Sequence, residues 1–137
     1  MTKKARLVPP DVVPTIWSEV QPLIDKALTR SDEAYNSEDY LNLLLSEECV
    51  LWLGIEDDEI KILLICEVVE YPRTKILQIH IMATKSGYDF ESWRNYLNFV
   101  EDFGRDNGCN LIEVTVPKAL ARTLKWKHNY SVLTKHI

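Results

Sequence analysis

Glycine is scarce in this chain, four residues in 137, and the six prolines are scattered, so no stretch reads as a linker, a collagen-like repeat or a low-complexity tract. The three cysteines, Cys49, Cys66 and Cys109, are odd in number, far apart and set among apolar neighbours. They form neither a Cys-x-x-Cys pair nor a Cys/His ligand cluster along the sequence. That spacing excludes a disulfide scaffold and reads them as reduced, buried small hydrophobes of a cytoplasmic protein. Long apolar runs are missing as well. The longest, Ile62 to Cys66, falls far short of the roughly 20 residues a bilayer requires, so no membrane span is expected. The basic start, Met1 to Arg6, runs at once into Pro9, Pro10, Asp11 and Pro14 and has no signal-peptide core. Positive charge is in deficit too: 16 Lys and Arg face 21 Asp and Glu, a formal net charge of -5. That balance argues against sequence-independent binding to a nucleic-acid phosphate backbone as the main role.

What is present suits one globular domain over residues 1–137, with 46% hydrophobic and 27% charged residues. The charge is unevenly spread. From Pro117 to Ile137 there is no Asp or Glu, while Lys118, Arg122, Lys125, Lys127 and Lys135 are all basic. Such a tail attracts a compact anion.

The periodicities give an order of elements. Leu7 and Val8 open a short strand stopped by Pro9-Pro10. Asp11 then caps a helix with Pro14 in its first turn and an apolar face of Ile16, Val20, Leu23 and Ala27, which Pro22 should kink. Ser37, followed by two acids, starts a shorter second helix. Val50 to Ile55, Ile60 to Val69 and Lys75 to Met82 read as an antiparallel meander with an acidic, solvated tip at Glu56 to Glu59. Strict alternation on the third strand places Leu77, Ile79 and Ile81 on one face, with Ile76, Gln78, His80 and Met82 on the other. A long helix from Asp89 to Asn107-Gly108, a strand from Leu111 to Val116, a helix from Ala119 to Lys127 and a last strand from Tyr130 complete the order. The fold class is α+β, with a mostly antiparallel twisted sheet of six to seven strands flanked by about four helices.

Polar groups on buried strands are candidate site residues. His80 is either a base poised near neutral pH or a satisfied sheet histidine. Glu67 interrupts an apolar run, where an unpaired carboxylate is costly, so it faces a partner, a cleft or an edge. Gln78 is a candidate for orienting a substrate. Trp17 and Trp93 sit on apolar helical stripes, Trp52 is either core or a substrate wall, and Trp126, among Lys125, Lys127 and His128, is the least expected core residue.

The element order, together with the stretch Ala121-Arg122-Thr123-Leu124-Lys125-Trp126-Lys127-His128-Asn129-Tyr130, resembles the GNAT superfamily of acyl-CoA-dependent N-acyltransferases. That stretch is similar to the family's AxxLYxxxGF pattern, with Ala121 and Leu124 matching, Asn129 at the Gly and Tyr130 at the Phe. Lys125 stands where many members carry the tyrosine that protonates the departing CoA thiolate. The family's glycine-rich cofactor loop corresponds to Met82-Ala83-Thr84-Lys85-Ser86-Gly87-Tyr88-Asp89, with a single glycine. The resemblance implies acetyl-CoA or another acyl-CoA as cosubstrate and an amine, small molecule or protein, as acceptor. It implies Thr84, Lys85, Ser86, Gly87 and Tyr88 in the phosphate loop, with Lys118 and Arg122 on the neighbouring helix. Ile79 and Ile81 would line the splay between strands, with a backbone donor near Ile81 polarising the carbonyl. His80 and Glu67 are then candidate bases and Lys125 a candidate acid. A homodimer is a further expectation. In style the chain also resembles small GNAT-like proteins of bacteriophages. That leaves a second class open, an inactive GNAT-fold module acting in a virion or on a host protein.

Overall fold

The protein is described from a computed structural model that covers residues 3–28, 34–85, 90–115, 124–127, 133 and 135–137. Its elements run β1 (Lys3–Val8), α1 (Val13–Leu28), α2 (Ser37–Leu45), β2 (Val50–Glu56), β3 (Glu59–Glu70), β4 (Lys75–Thr84), α3 (Phe90–Asp106) and β5 (Leu111–Val114). The opening strand is thus longer than Leu7 and Val8. After Pro9-Pro10, the backbone amides of Val12 and Val13 bond to the carbonyls of Pro9 and Pro10 at 3.0 and 3.3 Å and turn the chain into α1. Val13, Val20 and Ile24 lie on its buried face, and the helix runs on through Pro22 to Leu28. That face packs on the sheet and helps hold the turn from which Pro22 removes a donor.

The cap of α2 lies one residue before the expected Ser37. Asn36 accepts a bond from the Asp39 amide through Oδ1 and gives its own amide to Asp39 Oδ2, both at 2.9 Å, a reciprocal capping box. Ser37 is instead buried, and its hydroxyl accepts from Gln21 Nε2 of α1 at 3.2 Å. The β2–β3 loop is Asp57-Asp58, with φ of 53° and 62°, the twin left-handed pair of a two-residue hairpin turn. Glu56, expected at a solvated tip, is 8% exposed, whereas Asp57, Asp58 and Glu59 are exposed.

The strands stand in the order β1-β2-β3-β4-β5, the first four antiparallel and β5 parallel to β4. One core, between the sheet and α1–α2, contains Val20, Ile24, Leu44, Leu51, Leu63 and Ile65. A second, on the α3 side, contains Leu64, Cys66, Leu77, Ile79 and Val100. β3 is buried on both faces, as its near-continuous apolar sequence requires. At Gly54 a Cβ would come within 3.1 Å of Ile62 Cβ and 3.2 Å of the Tyr96 ring, so this glycine lets α3 settle onto β2.

Five strands and three helices are seen among the described residues, against six to seven and about four expected. The expected helix from Ala119 and the last strand from Tyr130 fall largely outside those residues. Where the chain is described again, Leu124 is helical and buried, but Lys125 follows with φ 58° and residues 125–127 are not helical. The helix therefore does not reach Lys127. A left-handed residue at Lys125 breaks the helical hydrogen bonding.

The alternation expected on β4 fails at one place. Ile65 pairs with Ile81, but the next residue of β3, Cys66, pairs with Ile79. His80 is thus one extra residue in β4, a β-bulge. Beyond it the faces exchange. Leu77 and Ile79 belong to the α3-side core, while Ile81 and Ala83 belong to the α1–α2-side core, and Met82 packs on the α3 side.

Candidate functional site

The bulge aims His80 at the α1–α2 face, where its ring is held from both ends. Nε2 lies 2.8 Å from Glu67 Oε1 and Nδ1 3.4 Å from the Tyr40 hydroxyl. Glu67 is brought there by the β3–β4 register, in which it pairs with Gln78, and Tyr40 by the first turn of α2. The rings of Tyr40 and Tyr35 both meet the imidazole edge-on, at centroid distances of 5.8 and 6.0 Å. With Glu67 ionised, its oxygen accepts from Nε2–H, and Nδ1 keeps a lone pair to accept the Tyr40 hydroxyl. The His80 side chain is 11% exposed and that of Glu67 35%, so the carboxylate is the mouth of the cluster. A proton taken up at the imidazole is stabilised by an adjacent carboxylate that opens to solvent.

Cys49 completes the group. Its amide bonds to the Leu43 carbonyl at 3.1 Å, which places it between α2 and β2, and its sulfur, a Glu67 oxygen and a His80 nitrogen lie within 4.8 Å of one another. Burial first, then the charges of Glu67 and Glu48, push the thiol up from 9.0 to about 12. Both imidazole nitrogens are already engaged, by Glu67 and Tyr40, so this is not a Cys-His nucleophile pair. Gln78 Nε2 donates to Glu113 Oε1 of β5 at 3.4 Å, and among the described residues the β4–β5 pairing runs from Ile76–Leu111 to Ile79–Val114. β4 itself continues to Thr84, so the pairing seen among the described residues ends beside His80.

No protein-family model matches the chain, and no curated protein sequence does. Solved structures do match over essentially the whole length. A GNAT family acetyltransferase from Staphylococcus aureus superposes with a TM-score of 0.75 at 16% identity, covering 100% of both chains. A ribosomal-protein-alanine N-acetyltransferase from Brucella melitensis gives 0.74 at 10%, covering 99% of both. A predicted acetyltransferase from Clostridium acetobutylicum, solved with acetyl-CoA, gives 0.71 at 12%, covering 98% of this chain and 96% of that one. This chain has the GNAT fold.

The residues expected around a GNAT cofactor site are placed as follows. Ile79 and Ile81 are buried on opposite faces of β4, Ile79 being the last residue paired with β5. Thr84 ends β4 opposite Ile62. Lys85 is exposed, but its amide donates to the Lys61 carbonyl at 2.8 Å and its ammonium to Glu59 Oε2 at 3.2 Å. Bonds from Lys61 and Lys85 hold the Glu59 carboxyl below its usual range. Ser86, Gly87, Tyr88, Lys118 and Arg122 lie outside the described residues. Lys125 is exposed, at the left-handed position after Leu124.

The tryptophans divide as well. Trp17 packs on the α1–α2-side core, and Trp52 on the α3 side against Phe103, with ring centroids 5.7 Å apart. Trp126 lines a cleft between α3 and β5 with Arg105, Leu111 and Lys127. The Trp93 side chain lies outside the described residues. His80 and Glu67, separate candidates in the sequence, are thus one unit. Tyr35, Tyr40 and Cys49 join them without having been marked by any motif. Tyr40 had the spacing of a core residue on an apolar helix face, and Cys49 the neighbours of one.

Proposed function

We propose that the chain is an N-acyltransferase that moves an acetyl or other acyl group from acyl-CoA to an amine by direct attack. One observation carries the reading: the described β4–β5 pairing ends at Ile79–Val114, beside a histidine and carboxylate already in contact. Similarity of the whole fold to acetyltransferases, one of them solved with acetyl-CoA, supports it at the level of class.

In this reading the His80–Glu67 pair accepts the proton that the amine must lose to become nucleophilic. The imidazole takes it at Nδ1, whose lone pair faces the Tyr40 hydroxyl, and Glu67 stabilises the imidazolium through the Nε2–H bond that orients the ring. Backbone amides of β4 past Ile79, near Ile81, polarise the acyl carbonyl as charge builds on its oxygen. Lys125, exposed and cationic, is the candidate acid for the departing thiolate. Thr84, Lys85, Ser86, Gly87 and Tyr88 would hold the CoA phosphates, with Lys118 and Arg122 adding positive charge. Lys85 contributes its ammonium alone, since its amide is spent on Lys61, and it must leave Glu59 to do so.

A thermal-shift titration with acetyl-CoA tests the reading. A ligand at about 100 times its dissociation constant stabilises the fold by about 2.7 kcal/mol, a rise in Tm of several degrees. An unmoved Tm at millimolar acetyl-CoA sinks it.

A further inference from the structure

We propose that Cys49, Glu67 and His80 form a binding site for one divalent transition metal ion of the zinc class, with a fourth position open toward solvent. Three elements supply one ligand each: Cys49 from the α2–β2 junction, Glu67 from β3 and His80 from the bulge of β4. Their ligand atoms all lie within 4.8 Å of one another, and the closest pair, Nε2 and Oε1, is 2.8 Å apart. Zinc binds sulfur at about 2.3 Å and nitrogen or oxygen at about 2.0 to 2.2 Å, so tetrahedral neighbours stand roughly 3.3 to 3.6 Å apart. The cluster brackets those separations and needs only side-chain adjustment to reach them.

The chemistry of the donors is selective. Thiolate and imidazole together favour zinc, cobalt and copper over magnesium or calcium, which take oxygen sets. Tyr40 is an outer support, its hydroxyl 3.4 Å from the imidazole nitrogen that would not face the ion. Sulfur and imidazole are buried or nearly so, while the 35% exposed Glu67 side chain gives the entry path. Three protein ligands with one open position is the arrangement of a zinc site that admits water or a further ligand. Two of its ligands are the proposed base pair, but binding of the ion requires no acyl-CoA and is tested without it. An ion held there would nonetheless displace the Nε2–H bond to Glu67 that stabilises the imidazolium.

The full chain, reduced and stripped of metal, is titrated with Co2+ and with Zn2+ against a chromophoric chelator, with no acyl-CoA present. Binding of one ion per chain is expected, with a thiolate-to-cobalt charge-transfer band in the near ultraviolet that Cys49→Ser abolishes. Glu67→Gln and Tyr40→Phe, checked for native circular dichroism, are each expected to weaken binding about tenfold or more. They keep the test decisive where Cys49→Ser does not fold. No charge-transfer band, or cobalt and zinc affinities that all folded variants share with the wild type, would overturn the proposal.

Discussion

A single histidine does two jobs in this chain, one for the strand and one for the site. As the extra residue of β4, His80 changes which face the following residues present, and in the same turn its ring reaches Glu67 and Tyr40. Both neighbours can be removed without emptying the bulge, which makes the chemistry separable from the fold. His80→Ala and Glu67→Gln are each expected to lower kcat for acetyl transfer by about 100- to 10,000-fold, the usual weight of a positioned base. Their melting temperatures report folding in parallel. Turnover unchanged in both folded variants would mean that other groups take the proton.

The thiols give a prediction of opposite character. Burial pushes Cys49 and Cys66 from 9.0 up to about 12, so the folded chain holds thiol protons that the unfolded chain releases near pH 9. The stabilisation is whole below about pH 9 and drains away as pH rises toward 12. A thiol-exchange chromophore at pH 8 should therefore react with these cysteines only once denaturant is added. Rapid release of colour from the native protein would contradict that placement.

Among elements, the short ones depend most on local chemistry. The nine-residue α2, which carries Tyr40, is fastened at its start by the Asn36–Asp39 box. Asn36→Ala is expected to cost about 1 kcal/mol, measured by urea unfolding, and an unchanged midpoint would show that packing alone holds the helix. The β2–β3 turn places two aspartates at positive φ, so Asp58→Gly should stabilise the hairpin by about 0.5 to 1 kcal/mol, against the usual direction of a glycine substitution. No gain in the same unfolding assay would mean that the left-handed strain at Asp58 is already relieved by its neighbours.

Element order as far as β5 was legible in the sequence because it rests on signals spread over many residues. The meander showed in the long apolar run of β3, and α1 in the 3.6-residue recurrence of its buried face. What escaped was set by single residues. Asn36 rather than Ser37 caps α2 because the reciprocal partner is Asp39, a choice that only the backbone path decides. The bulge at His80 has no signature, since it is a count mismatch between two strands and neither strand records it alone. Cys49 read as an isolated small hydrophobe because its partners lie 18 and 31 positions away in sequence, at Glu67 and His80.

At the scale of the molecule, two cores share one sheet. The buried side chains of β3 alternate between them, Leu63 and Ile65 toward α1–α2, Leu64 and Cys66 toward α3. Because one strand is common to both, neither core has a sheet of its own to fall back on. We infer that residues 1–137 unfold as one unit, seen as a single calorimetric transition with equal van't Hoff and calorimetric enthalpies. Two resolved transitions would show that the faces melt separately. Gly54→Ala probes the α3 face, where the added methyl meets Ile62 and the Tyr96 ring. About 1 to 3 kcal/mol of destabilisation is expected, and a single unfolding unit carries that loss to every probe.

The inserted residue of β4 has one more consequence, for how this strand tolerates change in length. Replacing His80 keeps the bulge, while deleting the residue would make Ile79 and Ile81 ordinary neighbours opposite Cys66 and Ile65, leaving Ile81 and Ala83 toward α1–α2 and Met82 toward α3. The position is therefore open both to substitution in identity and to a change in number. A chain that shed its histidine by either route could lose its chemistry and keep its architecture.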